Sequence, residues 1–179
     1  TVGTSTEVYD YLRLLFARIG TTHCGNCGKP VARDTVDQIA DAVLRWPPDT
    51  RFYVLFRLRS DVPQAEMGAY LADIKRRGFT RIYQNGRTFE YSQPESLLDI
   101  DFKKPAFVLV DRLKTDPDIR QRLIDSVEIC FRESGGEVFL EIPGGERHRF
   151  SESFECKACN IRYEDPEPRL FSFNNPFGA

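Results

Sequence analysis

The sequence predicts an α+β fold: two related β-α-β-β units forming a mainly antiparallel sheet with helices on one face, set on a small metal-stapled base. Three observations carry this. Cys-x-x-Cys pairs stand near both ends, Cys24/Cys27 and Cys156/Cys159, with 128 residues between them. The order strand, helix, hairpin occurs twice between the pairs. Each hairpin has its own turn dipeptide, Asn85-Gly86 in the first and Gly144-Gly145 in the second.

Residues 4–19 read as an amphipathic helix. Thr4 and Glu7 fit a capping box, Val8, Tyr11, Leu12, Leu15, Phe16 and Ile19 recur at helical spacing, and Gly20 stops it. A second helix starts near Asp34, with Val36, Ile39, Ala40, Val43 and Leu44 on one face, and ends before Pro47-Pro48. From Arg51 to Leu58 the pattern alternates, with Phe52, Val54, Phe56 and Leu58 on one side. A helix over 63–77 and a hairpin over 80–91 follow. Residues 92–104 read as a connection with at most one helical turn. The order then repeats: a strand over 106–113, a helix opened by Asp116-Pro117 and stopped by Gly135-Gly136, and a hairpin over 137–150. Phe107 answers Phe52, and Gly145 answers Gly86. Arg169–Phe173 reads as a short closing strand. The expected domains are therefore 34–150, inserted, and 1–33 with 151–179, a base carrying both cysteine pairs.

Two Cys-x-x-Cys pairs supply the four thiolates that tetrahedral zinc takes in a closed structural site. Each knuckle must turn sharply, which pushes the residue after its second cysteine towards positive φ. Gly28 and Asn160, which tolerate that region, stand there. One ion holding Cys24, Cys27, Cys156 and Cys159 would close a long loop, restricting the unfolded chain by about 4–5 kcal/mol. Free thiols, a disulfide or a dithiol redox pair are the competing readings. The matched pairs favour metal, and with four of five cysteines so used, a reducing, cytoplasmic compartment.

The 179 residues are 41% hydrophobic, with 14 Phe and 7 Tyr, enough for a real core; 29% are charged, with a net charge of −2. That balance points neither to nucleic acid nor to a membrane. No run approaches the roughly 18 apolar residues of a membrane span, and none reads as a signal peptide. The start at Thr1, with Met67 the only methionine, and the end at Asn174-Asn175-Pro176-Phe177-Gly178-Ala179 read as an excised piece of a longer protein, with processing or tag removal as the alternative.

No G-x-x-x-x-G-K-[ST] run is present, so this stretch has no phosphate-cradling P-loop. A closed four-thiolate site leaves no coordination position for catalysis. Cys130 falls on the apolar face of its helix and reads as core. His23 could replace a thiolate, but Cys24 beside it already fills that place. His148 reads as solvent-facing. The residues point to a binding module. Its candidate contacts are the arginines of the first half: Arg57, Arg59, Arg76, Arg77, Arg81 and Arg87. Arg57 and Arg59 read as sharing a strand face with Tyr53 and Leu55; Arg76 and Arg77 close a helix, where cations suit the dipole. A solvated face, a protein contact and a phosphate contact all remain open, because arginine serves each.

Several collinear stretches resemble one family. Thr1-Val2-Gly3-Thr4-Ser5-Thr6-Glu7-Val8-Tyr9-Asp10-Tyr11-Leu12-Arg13-Leu14-Leu15-Phe16-Ala17-Arg18 resembles the segment before the first cysteine pair of UvrA, the damage-recognition ATPase of bacterial nucleotide-excision repair. Val110-Asp111-Arg112-Leu113, Asp125-Ser126-Val127-Glu128, Phe154-Glu155-Cys156-Lys157-Ala158-Cys159 and Glu167-Pro168-Arg169-Leu170-Phe171-Ser172-Phe173-Asn174-Asn175-Pro176 resemble its later parts. The resemblance implies an interior piece of a tandem ATP-binding-cassette protein: the edge of its signature subdomain with an inserted domain that binds UvrB, the helicase-like partner. It implies zinc on Cys24, Cys27, Cys156 and Cys159, with ATP, the Walker motifs, DNA contact and homodimerisation belonging to the parent protein. Roles as a nucleic-acid-contacting or purely structural domain of the same ATPase are the alternatives. Many UvrA proteins carry a glycine- and lysine-rich stretch where this chain has Phe56-Arg57-Leu58-Arg59-Ser60-Asp61-Val62-Pro63, so the resemblance transfers no contact residue there.

Overall fold

The structure, a computed structural model, describes residues 7–90 and 99–172. It divides into two compact units, Thr1–Arg33 with Ser153–Ala179, and Asp34–Glu152.

The larger unit is a mixed α+β fold on one six-stranded antiparallel sheet. Its elements run α2 (Val36–Val43), β1 (Arg51–Arg57), α3 (Gln64–Arg76), β2 (Arg81–Gln84), β3 (Arg87–Glu90), β4 (Phe107–Lys114), α4 (Arg120–Ser134), β5 (Glu137–Glu141) and β6 (Arg147–Ser151); α1 (Val8–Ile19) lies in the other unit. The strand order is β3-β2-β4-β1-β5-β6. Exchanging β1 with β4, β2 with β5 and β3 with β6 returns the same order reversed. The two β-α-β-β repeats are therefore interlocked: each repeat's hairpin pairs with the first strand of the other, Tyr83 opposite Phe107 and Phe139 opposite Leu55.

Local chemistry sets the ends of these elements. Thr35 and Gln38 form a reciprocal capping box, so α2 begins two residues after the expected Asp34. Asp34 does a different job: its amide donates to the Ser151 carbonyl at 2.7 Å and its carboxylate accepts from the Ser151 amide at 2.9 Å, tying the unit's two ends together. Asn85 and Gly86, with φ of 50° and 80°, make the expected tight turn between β2 and β3. Asp116 caps a 3₁₀ turn, Pro117–Ile119, that leads into α4, and Gly135 at φ 72° ends that helix. Val110 is an extra residue in β4, since Val54 faces Asp111 while Leu55 faces Leu109.

Alternation in β1 divides the sheet's two faces. Phe52, Val54, Phe56 and Leu58 enter the main core with Ile39 and Val43 of α2, Leu71 and Ile74 of α3, and Leu123, Val127 and Cys130 of α4. Each such fully buried side chain contributes about 1.5–3 kcal/mol of transfer free energy. The sheet's other face carries a second cluster of Leu55, Tyr83, Phe107, Leu109 and Phe139, flanked by Tyr53. Gln84, buried among apolar neighbours, is satisfied by the arriving connection: its amide group donates to the Asp101 carbonyl at 2.9 Å and accepts from the Asp101 amide at 3.0 Å.

The smaller unit holds α1 (Val8–Ile19), short strands β7 (Glu155–Cys156) and β8 (Ile161–Arg162), and a 3₁₀ turn at Pro168–Phe171. That turn corrects the strand expected over 169–173. Pro168 stands at its start, where a missing N–H costs nothing, and Phe173 lies outside the described residues. Phe171 stacks on Phe16 of α1 at 5.9 Å, and its carbonyl accepts from the Tyr9 hydroxyl at 2.8 Å. Thr4 of the expected capping box is outside the described residues. Glu7, at φ 58° and without a side-chain cap, precedes the first helical residue, Val8. His148 also differs from expectation: it is half-buried, its ring 5.1 Å from that of Trp46.

Candidate metal centre

Two backbone loops aim four sulfurs at one point. In the first, the Cys24 amide donates to the Lys29 carbonyl, the Gly28 amide to the Cys24 carbonyl and the Val31 amide to the Thr22 carbonyl, each at 2.8 Å. In the second, the Cys159 and Asn160 amides donate to the Cys156 carbonyl at 3.2 and 2.8 Å. Gly28 at φ 69° and Asn160 at φ 53° close these loops in the left-handed region expected of them. Ala32 and Glu155 exchange a pair of 3.3 Å backbone hydrogen bonds and so join the two loops directly.

The sulfurs of Cys24, Cys27, Cys156 and Cys159 all lie within 4.8 Å of one another, with Cys27 and Cys156 3.5 Å apart. Four thiolates about 2.3 Å from one tetrahedral ion would stand about 3.8 Å apart, so the set fits an ion with little movement. These four cysteines could hold a metal ion. His23 is turned to a different task, its Nδ1 lying 3.0 Å from the Gly28 carbonyl oxygen.

Two polar side chains bond to the cage. The Tyr163 hydroxyl donates to Cys24 Sγ at 3.1 Å and accepts from the Gly25 amide at 3.1 Å. The Asn26 amide group donates to Cys159 Sγ at 3.3 Å. The Tyr163 hydrogen bond pulls the Cys24 thiol down to about 6, against the burial that raises it, and the same bond raises the Tyr163 phenol. Neither residue was a sequence candidate. Tyr163 lies four positions beyond Cys159 but serves a sulfur 139 residues away, and no spacing rule signals that.

The six candidate arginines do not form one patch. Arg57 and Arg81 share the parity of Leu55 and Tyr83, on the sheet face away from the helices. Arg59 lies past the end of β1, contrary to its expected strand position, and grips Asp61 at 2.8 Å. Arg76 and Arg77 close α3, both reaching Asp73, and Arg77 also pairs with Glu133. Arg81 pairs with Glu90 at 3.1 Å. Arg87 faces Gln84 at the hairpin end. No motif or spacing in the sequence marks Arg112, whose guanidinium lies 5.6 Å from the centre of the Tyr53 ring, or Arg147, 4.3 Å from that of Phe107. Their residue type was visible, but their common face follows from the interlocked strand order. Arg51, Arg57 and Arg112 have no ion-pair partner among the described residues. A groove of about 750 Å³ runs along Arg51, Tyr53, Arg112 and Lys114 to Pro143.

A family model described as the UvrA interaction domain matches residues 34–144. The whole chain is similar to "UvrABC system protein A" of Clostridium acetobutylicum, at 41% identity over 99% of this chain and 19% of that protein. The protein of the same name from Streptomyces coelicolor is 43% identical over 100% of this chain and 18% of its own length. That of Neisseria meningitidis is 39% identical over 100% of this chain and 19% of its own. The chain thus spans about a fifth of the length of these curated relatives.

Proposed function

This chain belongs to the UvrA family, and from that premise we propose that it is the partner-docking module of a nucleotide-excision-repair ATPase, recruiting UvrB to damaged DNA. The observation that carries the reading is the sheet face away from the helices. A packed aromatic layer there lies beneath arginines of which Arg51, Arg57 and Arg112 have no ion-pair partner among the described residues. Aromatic and arginine side chains are the residue types most enriched at the energetic centres of protein interfaces. Arg57 and Arg81 are the sequence candidates that belong to this face. Arg59, Arg76, Arg77 and Arg87 contribute at its margins or serve local structure.

The module itself performs no chemistry in this reading. ATP, DNA contact and homodimerisation belong to the parent protein, working in the cytoplasm. No helix among the described residues is long and apolar enough to cross a membrane. Zinc is the ion proposed for the site, with Cys24, Cys27, Cys156 and Cys159 as its ligands. An all-sulfur set suits a soft, redox-inert ion in a closed structural role. When bound, zinc supplies cross-linking of two chain segments far apart in sequence, while the chain's own loops orient the sulfurs.

Titration of the chain with the cognate UvrB tests the reading. Association in the micromolar range, weakened by Arg57→Glu with Arg112→Glu, is expected. No detectable association at about tens of micromolar rejects it. Phosphate contact, the alternative, would show instead as DNA binding that falls steeply with salt.

A further inference from the structure

We propose that Asn26 and Tyr163 are positioning residues of the metal site, each donating a hydrogen bond to a sulfur of the opposite cysteine pair and together slowing release of a bound soft dication. The inference rests on the metal reading and goes beyond the ligand set.

The arrangement is reciprocal. Asn26 lies between Cys24 and Cys27 and reaches Cys159; Tyr163 follows Cys159 and reaches Cys24. Neither bond is within a single knuckle, and each spans more than 130 positions in the chain. Tyr163 is held in two ways. Its amide donates to the Phe154 carbonyl at 2.8 Å, fixing the backbone, and its hydroxyl oxygen accepts from the Gly25 amide at 3.1 Å. With that oxygen already accepting, the hydroxyl proton is left to point at sulfur. The Tyr163 ring thus bridges the first knuckle's backbone and its first ligand.

The chemistry rewards such donors. Four thiolates around one divalent ion leave an excess of negative charge on sulfur. A neutral hydrogen-bond donor disperses that charge and fixes the lone pair that faces the ion, and partners of this kind typically change metal affinity by about 10–100-fold. A cross-pair donor does a second thing. When one thiolate detaches, the two loops stay in register, because Asn26 still holds Cys159 or Tyr163 still holds Cys24. Rebinding then competes better with escape.

The test uses the 179-residue chain loaded with zinc, and separately with cobalt(II). Tyr163→Phe keeps the ring and removes the hydroxyl, Asn26→Ala removes an exposed amide, and Lys29→Ala is a knuckle change that removes no bond to sulfur. Zinc transfer to the chelating dye 4-(2-pyridylazo)resorcinol should be about tenfold faster in Tyr163→Phe and in Asn26→Ala, and unchanged in Lys29→Ala. The thiolate-to-cobalt charge-transfer band should move to longer wavelength in the first two, because a sulfur without its donor gives up electrons more readily. A general loosening of the fold would not move that band. Release within twofold of the parent and an unmoved band in both variants would overturn the proposal while leaving the metal reading intact. A parent chain that binds neither ion would overturn both.

Discussion

The Tyr83 hydroxyl donates to the Glu141 carboxylate at 2.5 Å, spanning the two central strands of the sheet. Tyr83 lies on β2 and Glu141 on β5, corresponding strands of the two repeats, with β4 and β1 between them. Glu141 also pairs with Arg147, whose guanidinium covers Phe107. One polar chain thus crosses the sheet above an aromatic layer and fastens one repeat's hairpin to the other's.

Tyr83→Phe removes that bond but keeps the ring. A buried hydrogen bond to a charged group contributes about 1.5–3 kcal/mol. Glu141 retains Arg147, so a loss near the lower end, about 1.5 kcal/mol, is expected in urea unfolding. Burial and then Glu141 raise the Tyr83 phenol well above its ordinary value. Its proton is therefore kept in the folded chain when the unfolded chain has lost it. This contribution is full below about pH 10 and declines above it, and the decline should be shallower in Tyr83→Phe.

Cys130 gives a second pH signature. It is fully buried in the main core, and burial pushes its thiol far up. It should resist thiol reagents in the native chain. The folded thiol stays neutral while the unfolded thiol ionises, so the parent should lose stability relative to Cys130→Ala as pH rises above about 8.5. At neutral pH the order should reverse. Cys130→Ala leaves a small void costing about 1 kcal/mol, and Cys130→Ser costs more because a hydroxyl is more costly to desolvate than a thiol in an apolar core. Urea unfolding at two pH values measures both.

What was legible in the sequence was local or periodic. Asn85-Gly86 declared its turn, Phe52 to Leu58 declared a strand, and the two cysteine pairs declared each other, because each pattern is complete within a few residues. Interlocking of the repeats was not legible. Tyr83 pairs across to Phe107, and Phe139 to Leu55, only once both halves have folded. For the same reason Arg112 and Tyr53 could not be seen to belong to one surface. Over Arg169–Phe173 the sequence expectation is a short closing strand. The 3₁₀ turn won because Pro168 starts it and Phe171 has a ring partner in Phe16. In α1 the periodicity marked an apolar face, yet Ile19 is 73% exposed among the described residues. A helical stripe predicts a face and is silent about its cover.

Metal removal should act on the smaller unit. With the ion gone, the cage carries close thiols whose mutual repulsion, once ionised, is offset only by the neutral Tyr163 and Asn26 donors and no longer by a dication. Chelation should abolish amide-exchange protection at Gly28, Val31, Asn160 and Tyr163, and elemental analysis of the untreated chain should return about one zinc. The sole tryptophan, Trp46, packs edge-on against Phe52 in the larger unit at 5.4 Å. Its fluorescence should therefore keep its folded value at chelator concentrations that erase the protection. Simultaneous loss of both signals would mean that the larger unit cannot stand without the metal.

The arginines yield the sharpest separation of roles. Arg59 and Arg76 already hold Asp61 and Asp73, and both are largely exposed, so charge reversal there breaks only a solvent-screened surface pair. Arg57 and Arg112 hold no carboxylate among the described residues, and each lies on the aromatic sheet face. If that face takes UvrB, Arg57→Glu and Arg112→Glu should each weaken association about tenfold or more, equivalent to about 1.4 kcal/mol. Their melting temperatures should change little. Arg59→Glu and Arg76→Glu should leave association within about threefold of the parent, less than 0.7 kcal/mol by the same relation. Titrations at two salt concentrations add a control. Charges at a buried interface centre retain their effect when salt rises, whereas loss by steering alone is screened away within about 10 Å at 0.1 M. Equal effects at all four positions would point to long-range attraction by total charge and would remove the sheet face from the account of binding.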